Sequence, residues 1–298
     1  MTNPKVLCFG EVLWDVFPDK KVLGGAPLNV ALRLTSFGIS TSLLSCVGDD
    51  EIGRAALDII HESGLNTSLI QKTKELATGQ VLIALDKKGN ATYDIQLPVA
   101  WDAIVFSESI KEIHSSLKVF VFGSLAARSP FNRATLQQLL QLPSIKVFDV
   151  NLRAPHYDLD MVYELMQLAD VVKLNDDELA EVVDTFSGPK VGMKEQVSWL
   201  SKISRTDTIC VTRGGEGALL LFEGEFYEHS GFTVDVVDTV GAGDSFLATL
   251  IDYLLLQKEK PMLALSSACA IGALIASKPG ANSALSVQEI ASLLKTTS

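Results

Sequence analysis

The feature that most constrains the fold of this chain is a succession of short apolar runs separated by longer helix-like segments. The runs read KVLCFG, TSLLSCVG, KVFVFG, IKVFDV, VVKLN and TICVT. Short strands that are apolar throughout are typical of a parallel sheet covered on both faces, and parallel strands need crossover connections, usually helices. The pattern therefore predicts an α/β fold with a mainly parallel central sheet, and the length permits one large domain or two smaller ones.

Helix signals are clear near the N-terminal end and dense in the last third of the chain. Between Pro27 and Phe37, apolar residues such as Val30 and Leu34 fall on one stripe. Pro27 suits the first turn of this helix, and Gly38 suits the position just after its end. Further helices are predicted over Asp244–Leu256, Pro261–Ser277 and Ser286–Leu294.

Two stretches, Glu11–Leu23 and Gly79–Trp101, break this rhythm. They resemble strands joined by turns, DKK in the first and DKKGN in the second, with little helical periodicity. We expect strands within 11–25 and 79–101 to form a small separate sheet, which is a common way of building a lid over a site. The alternative is an ordinary hairpin on the main sheet.

Composition argues against some classes of function. The formal net charge is −11 over 298 residues and the Lys and Arg residues are scattered, which argues against binding through nucleic acid phosphates. Cys8, Cys46, Cys210 and Cys269 are far apart, which favours buried reduced thiols over a zinc site or a disulfide framework. The N-terminus lacks a signal-peptide pattern, and no apolar stretch reaches about 18 residues, so we expect a cytoplasmic protein without a membrane span.

The stretch VDTVGAGDSF, from Val237 to Phe246, is the strongest candidate for a site. Gly241, Ala242 and Gly243 have small side chains or none, so their backbone N–H groups can approach an anion at the start of the next helix. Asp244 then lies beside an anion site and can accept a proton from a hydroxyl. This arrangement suits phosphoryl transfer to an alcohol, and it equally suits a glycine-rich turn with an N-capping Asp.

Other nucleotide motifs are missing from the sequence. No GxxxxGK[ST] occurs, which argues against a P-loop protein, and GAGDSF lacks the third glycine of GxGxxG. A nicotinamide-dependent enzyme is therefore disfavoured.

Four stretches in order resemble the signatures of the ribokinase-like (PfkB) carbohydrate kinases. GGAPLNVALRLTSFG (24–38) is similar to the N-terminal signature, and VDTVGAGDSF is similar to the C-terminal signature DTxGAGD. Between them, KLNDDEL (173–179) resembles the NxxE element and VTRGGEGALL (211–220) resembles the TxG nucleotide strand. GEVLWD (10–15), the GGAPLN form and DVNLR (149–153) look most like bacterial fructokinases.

The resemblance implies one kinase domain over residues 1–298, a three-layer Rossmann-like sandwich with a small β-sheet lid. It implies an enzyme that uses ATP and Mg²⁺ to convert fructose into fructose 6-phosphate, with K⁺ as a further candidate ion. The implied partners are a small sugar, ATP and a second copy of the chain bound through the lid, with no nucleic acid and no membrane. Kinases of 2-keto-3-deoxygluconate, ribose or nucleosides, and a non-catalytic sugar sensor, remain alternatives.

The resemblance also implies a role for each matching residue. Asp244 would deprotonate the primary hydroxyl of the sugar, and the backbone of Gly241, Ala242 and Gly243 would hold the transferring phosphoryl group. The residues implied to bind the sugar are Asp15, Gly25, Asn29 and, as a candidate for sugar or phosphate, Arg153. Asn175 and Glu178 would organise Mg²⁺ and the phosphates through water. Thr212 and Gly214 would line the nucleotide site. Asp238 and the backbone of Val240 would bind a monovalent cation.

Several of these residues have a simpler interpretation. Asp15 could be a solvated turn acid, and Asn29 an exposed helix residue. Asn175 and Glu178 could be a helix cap with its capping-box partner, which is compatible with a site role. Arg153 could pair with a surface acid. Asp94 in TYDIQLP could face sugar or solvent, and this stretch departs from the more basic strand that the family often has.

Overall fold

The computed structural model describes residues 4–85, 91–113 and 116–295, and the chain divides into two compact units. The first unit comprises Met1–Leu117 and Leu125–Pro143, and the second comprises Lys118–Ser124 and Ser144–Ser298. A single domain over residues 1–298 stays a prediction. The predicted turn DKKGN lies outside the described residues.

The first unit alternates strands and helices. In chain order its elements are β1 (Val6–Phe9), β2 (Leu13–Val16), β3 (Lys21–Gly24), α1 (Ala26–Ser36), β4 (Thr41–Gly48), α2 (Glu51–Glu62), β5 (Ile70–Thr73), β6 (Gly79–Leu85), β7 (Ala91–Ile95), α3 (Glu108–Ile113) and α4 (Pro130–Leu139). Strands β1, β4 and β5 are parallel neighbours in that order. Every residue of β1 and β4 is buried, as expected for strands that are apolar on both faces.

The two stretches that break the βα rhythm form a separate four-stranded sheet, in the order β3-β2-β6-β7. Strand β2 is antiparallel to β3 and parallel to β6, and β6 is antiparallel to β7. Its strands lie within 11–25 and 79–101, so the smaller sheet is confirmed and the alternative of a hairpin on the main sheet is wrong.

Helix α1 shows how closely the local sequence signals predict an element. It starts at Ala26 with Pro27 in its first turn, and its apolar stripe, including Val30 and Leu34, is buried. Gly38 follows the helix with φ of 78°, a left-handed conformation that glycine adopts without steric cost.

The second unit continues the α/β alternation. Its elements are β8 (Val119–Gly123), β9 (Ile145–Asp149), α5 (Leu159–Gln167), β10 (Val171–Asn175), α6 (Asp176–Thr185), α7 (Met193–Ser204), β11 (Thr208–Thr212), β12 (Ala218–Phe222), β13 (Glu225–His229), α8 (Ala242–Leu250), α9 (Pro261–Ala276) and α10 (Val287–Leu294). The strands lie in the order β13-β12-β11-β10-β9-β8. Strands β8 to β11 are parallel, and β12 and β13 extend the sheet antiparallel. The α/β class with mainly parallel strands is confirmed.

One predicted helix differs in form. The segment predicted as a helix over Asp244–Leu256 is α8 followed by a π-helical turn at Ile251–Leu256, in which the Gln257 amide donates to the Asp252 carbonyl at 2.9 Å. The sequence there contains neither Pro nor Gly, so no local signal marks the change of helix type.

The cysteine prediction is confirmed, because all four thiols are free and buried. Among the described residues, no helix is both long enough and apolar enough to cross a membrane.

Candidate active site

The candidate site in the second unit is built around the start of α8. Gly241 precedes the helix with φ of 75°, and a Cβ at this position would lie 2.3 Å from the Cβ of Ala281, so only glycine fits here. Ala242 and Gly243 begin the helix, and partly buried Asp244 lies in its first turn. A helix N-terminus of this kind presents amides and the positive end of the helix dipole to an anion.

The amides of this turn are not equivalent. The Ala242 N–H donates to the Thr239 carbonyl at 3.2 Å, so this amide is already engaged within the turn. We therefore expect the amides of Gly241 and Gly243 to contribute more to an anion site than that of Ala242.

The loop before α8 is fixed by a carboxylate. Asp238 Oδ1 accepts a hydrogen bond from the Val240 N–H, and Oδ2 accepts one from the Gly280 N–H, both at 3.0 Å. The structure thus brings together Asp238 and Val240, the two residues that the family resemblance assigns to a monovalent cation. It also joins their loop to the segment that packs against Gly241.

The NxxE element forms a capping box at the start of α6. Asn175 Oδ1 accepts from the Glu178 N–H, and Glu178 Oε2 accepts from the Asn175 N–H, both at 2.8 Å. The other oxygen of Glu178 accepts from the Leu152 N–H at 2.8 Å, which holds the DVNLR segment beside the cap. Burial raises the pKa of Glu178 above its ordinary value, and the charge of Lys173 opposes this rise.

Arg153 is exposed, and its guanidinium donates to the carbonyl of its neighbour Leu152 at 2.9 Å. Because the Leu152 amide is held by Glu178, the start of this side chain lies close to the capping box.

A buried ion pair that sequence reasoning missed lies in the middle of the second unit's sheet. Lys173 on β10 is the register partner of Asp149 on β9, and Lys173 Nζ lies 2.9 Å from Asp149 Oδ1. Both side chains are more than nine-tenths buried. The signal available was a lysine within the otherwise apolar strand VVKL, opposite an acid at the end of IKVFD.

This ammonium lies against the start of α8. A Cβ added to Gly243 would meet Lys173 Nζ at 3.5 Å. Burial alone would lower the pKa of Lys173, but the charges of Asp149, Glu178 and Asp244 outweigh it and raise the pKa above its ordinary value. The group is therefore a permanent cation.

The predicted nucleotide residues follow β11. Thr212 ends this strand and is the register partner of Asn175 on β10, so the two residues are neighbours at the carboxyl ends of parallel strands. Ligands of open α/β sheets bind at this edge. Gly214 has φ of 53° in a 3₁₀ turn at Gly214–Glu216. In the described part of the chain no atom lies within 4 Å of a Cβ built on it, so the turn is open on that side.

The predicted sugar residues of the first unit cluster around the start of α1. Asp15 lies on β2, and its Oδ2 lies 2.7 Å from where a Cβ of Gly24 would be. Gly25 caps α1 with φ of 120°, and its carbonyl accepts from the Asn29 N–H at 2.9 Å. The interpretations of Asp15 as a turn acid and of Asn29 as an exposed residue are wrong, because Asp15 is in a strand and Asn29 is 4% exposed.

Glu11 is a second residue that sequence reasoning missed. It is buried, and its Oε1 accepts from the Ala26 N–H at 3.1 Å. A Cβ at Gly25 would lie 2.3 Å from the Glu11 carbonyl oxygen, so both the backbone and the side chain of Glu11 contact the turn at Gly24–Gly25.

Asp94, which the sequence left facing either sugar or solvent, lies on β7 and is exposed, opposite Leu82 of β6.

Comparison with known proteins agrees with this geometry. The model of the pfkB family carbohydrate kinases matches residues 3–288. "Probable fructokinase-7" of Arabidopsis thaliana is 29% identical, with 98% of this chain and 93% of that protein aligned. A fructokinase of Xylella fastidiosa solved with bound ATP has a TM-score of 0.86 at 24% identity, covering 98% of this chain and 99% of that one.

A second solved structure, a double mutant of Vibrio cholerae fructokinase with fructose, ADP and a potassium ion, has a TM-score of 0.82 at 22% identity, with 98% of each chain covered. These structural likenesses establish the ribokinase-like fold, and the family match spans nearly the whole sequence. The chain therefore belongs to the pfkB family of carbohydrate kinases.

Proposed function

We propose that this chain transfers the γ-phosphoryl group of ATP to the primary hydroxyl of D-fructose, forming fructose 6-phosphate and ADP. The observation that carries the proposal is the start of α8, where Asp244 follows a glycine turn at a helix N-terminus and the buried ammonium of Lys173 lies close to Gly243. The fructokinases that the chain resembles, one solved with ATP and one with fructose and ADP, support the same reaction.

In this mechanism, Asp244 accepts the proton of the primary hydroxyl as its oxygen attacks the γ-phosphorus. The bond between that phosphorus and the β–γ bridging oxygen breaks, and ADP leaves with the electron pair. The backbone of Gly241, Ala242 and Gly243, with the smaller part from Ala242, holds the oxygens of the transferring group, where negative charge is spread in the transition state. A general base of this kind contributes on the order of 10²–10⁴-fold to the rate.

The residues present fit Mg²⁺ bound through water. Mg²⁺ keeps several waters and takes few protein ligands. Both oxygens of Glu178 already accept backbone amides, and the described part of the chain holds no cluster of three or more His, Cys, Asp or Glu residues that could hold an ion. Asn175 and Glu178 would therefore contact the ion's waters, and the bound ion would neutralise phosphate charge. Asp238 and the Val240 backbone would hold K⁺ and so help to fix the turn at Gly241.

The sugar would be held by Asp15, Gly25 and Asn29, whose amide and carboxylate groups suit several directional hydrogen bonds to hydroxyls. Thr212 and Gly214 would line the nucleotide site, which their place at the carboxyl edge of the sheet supports.

A homodimer formed through the four-stranded sheet, which would act as the lid, is part of the proposal. Leu82, Tyr93 and Leu97 in and after its strands are 40%, 66% and 63% exposed, as expected for side chains that a second copy would cover. Light scattering should then give twice the 32.1 kDa mass of the chain, and a monomer at micromolar concentration would contradict this point. The cytoplasmic location stays a prediction.

One observation favours a second substrate. The exposed guanidinium of Arg153 could bind the carboxylate of 2-keto-3-deoxygluconate, since Arg pairs well with a carboxylate.

The test is a panel of fructose, 2-keto-3-deoxygluconate, ribose and nucleosides with ATP and Mg²⁺, with and without K⁺, followed by coupled release of ADP. We expect the highest kcat/KM for fructose, with fructose 6-phosphate as the product. Turnover of another sugar without turnover of fructose would change the substrate. Binding of sugar without any phosphorylated product would indicate a sensor.

A further inference from the structure

We propose that Lys173 is a positioning residue for the reaction, because its buried ammonium group holds Asp244 in the carboxylate form that can accept the sugar's proton. The inference rests on the proposed function of Asp244 as the general base. It adds a residue outside the glycine–aspartate turn to the machinery of proton transfer.

The ammonium group of Lys173 lies against the start of α8. Lys173 is 6% exposed and extends from β10, where its neighbours in the strand are apolar. Its Nζ would touch a Cβ on Gly243 at 3.5 Å, which is ordinary van der Waals contact, so it lies against the backbone of the residue before Asp244. Asp149 fixes the ammonium there through a 2.9 Å hydrogen bond.

The charges around this ammonium come from several elements. Asp149 on β9 bonds to it directly, and the negative charges of Glu178 on α6 and Asp244 on α8 also raise its pKa. Cys210 on β11, a buried thiol, is its register partner, so Lys173 is the cation of this group. Asp149 Oδ2 is buried and has no hydrogen-bond partner among the described residues, so even the closest acid is not fully satisfied. Without the ammonium, mutual repulsion would favour protonation of the remaining acids.

Fold stability alone is a weak reason for such a pair. The desolvation of two buried charges largely offsets their attraction, and apolar side chains of similar volume often stabilise a core as well or better. A nearby cation instead lowers the pKa of a carboxylate, which is the effect that a general base with other acids around it needs.

The proposal is tested by titrating Asp244 without substrates. Aspartate carboxyl carbons are labelled with ¹³C, and the Asp244 signal is assigned as the one lost in Asp244→Asn. In Lys173→Met, which keeps the length of the side chain but removes the charge, the pKa of Asp244 should rise by about one unit or more. Lys173→Arg should keep it near the wild-type value.

An unchanged titration of Asp244 in Lys173→Met overturns the proposal. If circular dichroism shows that this variant does not fold, Lys173→Gln decides, and an unchanged pKa of Asp244 there overturns it. The acidic limb of kcat should move in the same directions, whereas a merely structural role would lower kcat equally at every pH. Because the NMR titration needs no turnover, failure of the wild type to phosphorylate any sugar would refute the proposed function separately.

Discussion

Substituting Gly241 by alanine tests whether the turn before α8 is as tightly constrained as its contacts indicate. The residue has φ of 75°, and a left-handed conformation costs a non-glycine residue roughly 1–2 kcal/mol. The new Cβ would lie 2.3 Å from the Cβ and 2.5 Å from the Cα of Ala281. The second contact is with backbone, which cannot rotate away, and overpacking of this kind costs about 1–3 kcal/mol more.

We therefore expect Gly241→Ala to lower the free energy of unfolding by about 2–5 kcal/mol, the sum of the two effects. The turn must shift to relieve the contact, and its amides shift with it. Since misplacement by about 1 Å can cost on the order of 10²-fold in rate, kcat should fall by at least 10-fold. Urea denaturation and the coupled ADP assay measure the two effects.

Gly38→Ala is the matched control. Gly38 has φ of 78°, nearly that of Gly241, but no atom of the residues that the structure describes lies within 4 Å of the Cβ that alanine would add. It should therefore lose only the conformational term, about 1–2 kcal/mol, and keep wild-type kcat. Equal losses of stability in the two variants, or wild-type turnover in Gly241→Ala, would refute the steric argument.

Two further predictions concern the first unit. Burial alone would raise the pKa of Asp50, but hydrogen bonds from Thr78 and Gly53 hold it below its ordinary value, so Asp50 stabilises the fold above about pH 4 and loses this contribution as the pH falls further. Asp50→Ala should therefore lower the free energy of unfolding by about 1–2 kcal/mol at pH 7 and by less at pH 3. A difference in urea midpoint between variant and wild type that grows on acidification would contradict this. Arg128→Ala leaves buried Asp102 without its bidentate partner and should lower the free energy of unfolding by about 3–5 kcal/mol, measured by thermal unfolding. Arg54→Ala, in an exposed pair with Asp49, should cost at most about 1 kcal/mol. Similar losses of stability in the two variants would contradict the argument from burial.

The fold could be predicted from the sequence largely because its signals are local. Each quoted apolar run is a strand, since a strand buried on both faces is predominantly apolar. Helix α1 was predicted to within one residue at each end, since Pro27 and Gly38 mark its ends chemically. The π-helical turn at Ile251–Leu256 was not predicted, because no Pro or Gly marks it in the sequence.

The site could be predicted only where a motif is contiguous. Asp238, Gly241 and Asp244 lie in one stretch and therefore appeared together. The pairing of Lys173 with Asp149 depends on the register of two strands that are separated by a helix, which no local pattern specifies. The contact of Glu11 with the turn at Gly24–Gly25 and the burial of Asn29 also depend on tertiary contacts, which no local pattern specifies.

The base itself is tested most directly by steady-state kinetics of Asp244→Asn with ATP, Mg²⁺ and fructose. The substitution keeps the size of the side chain but removes its ability to accept the proton. We predict that kcat falls by at least about 10²-fold while the affinity for fructose, measured by calorimetry, changes little. Turnover close to that of the wild type would contradict the assignment of Asp244 as the base.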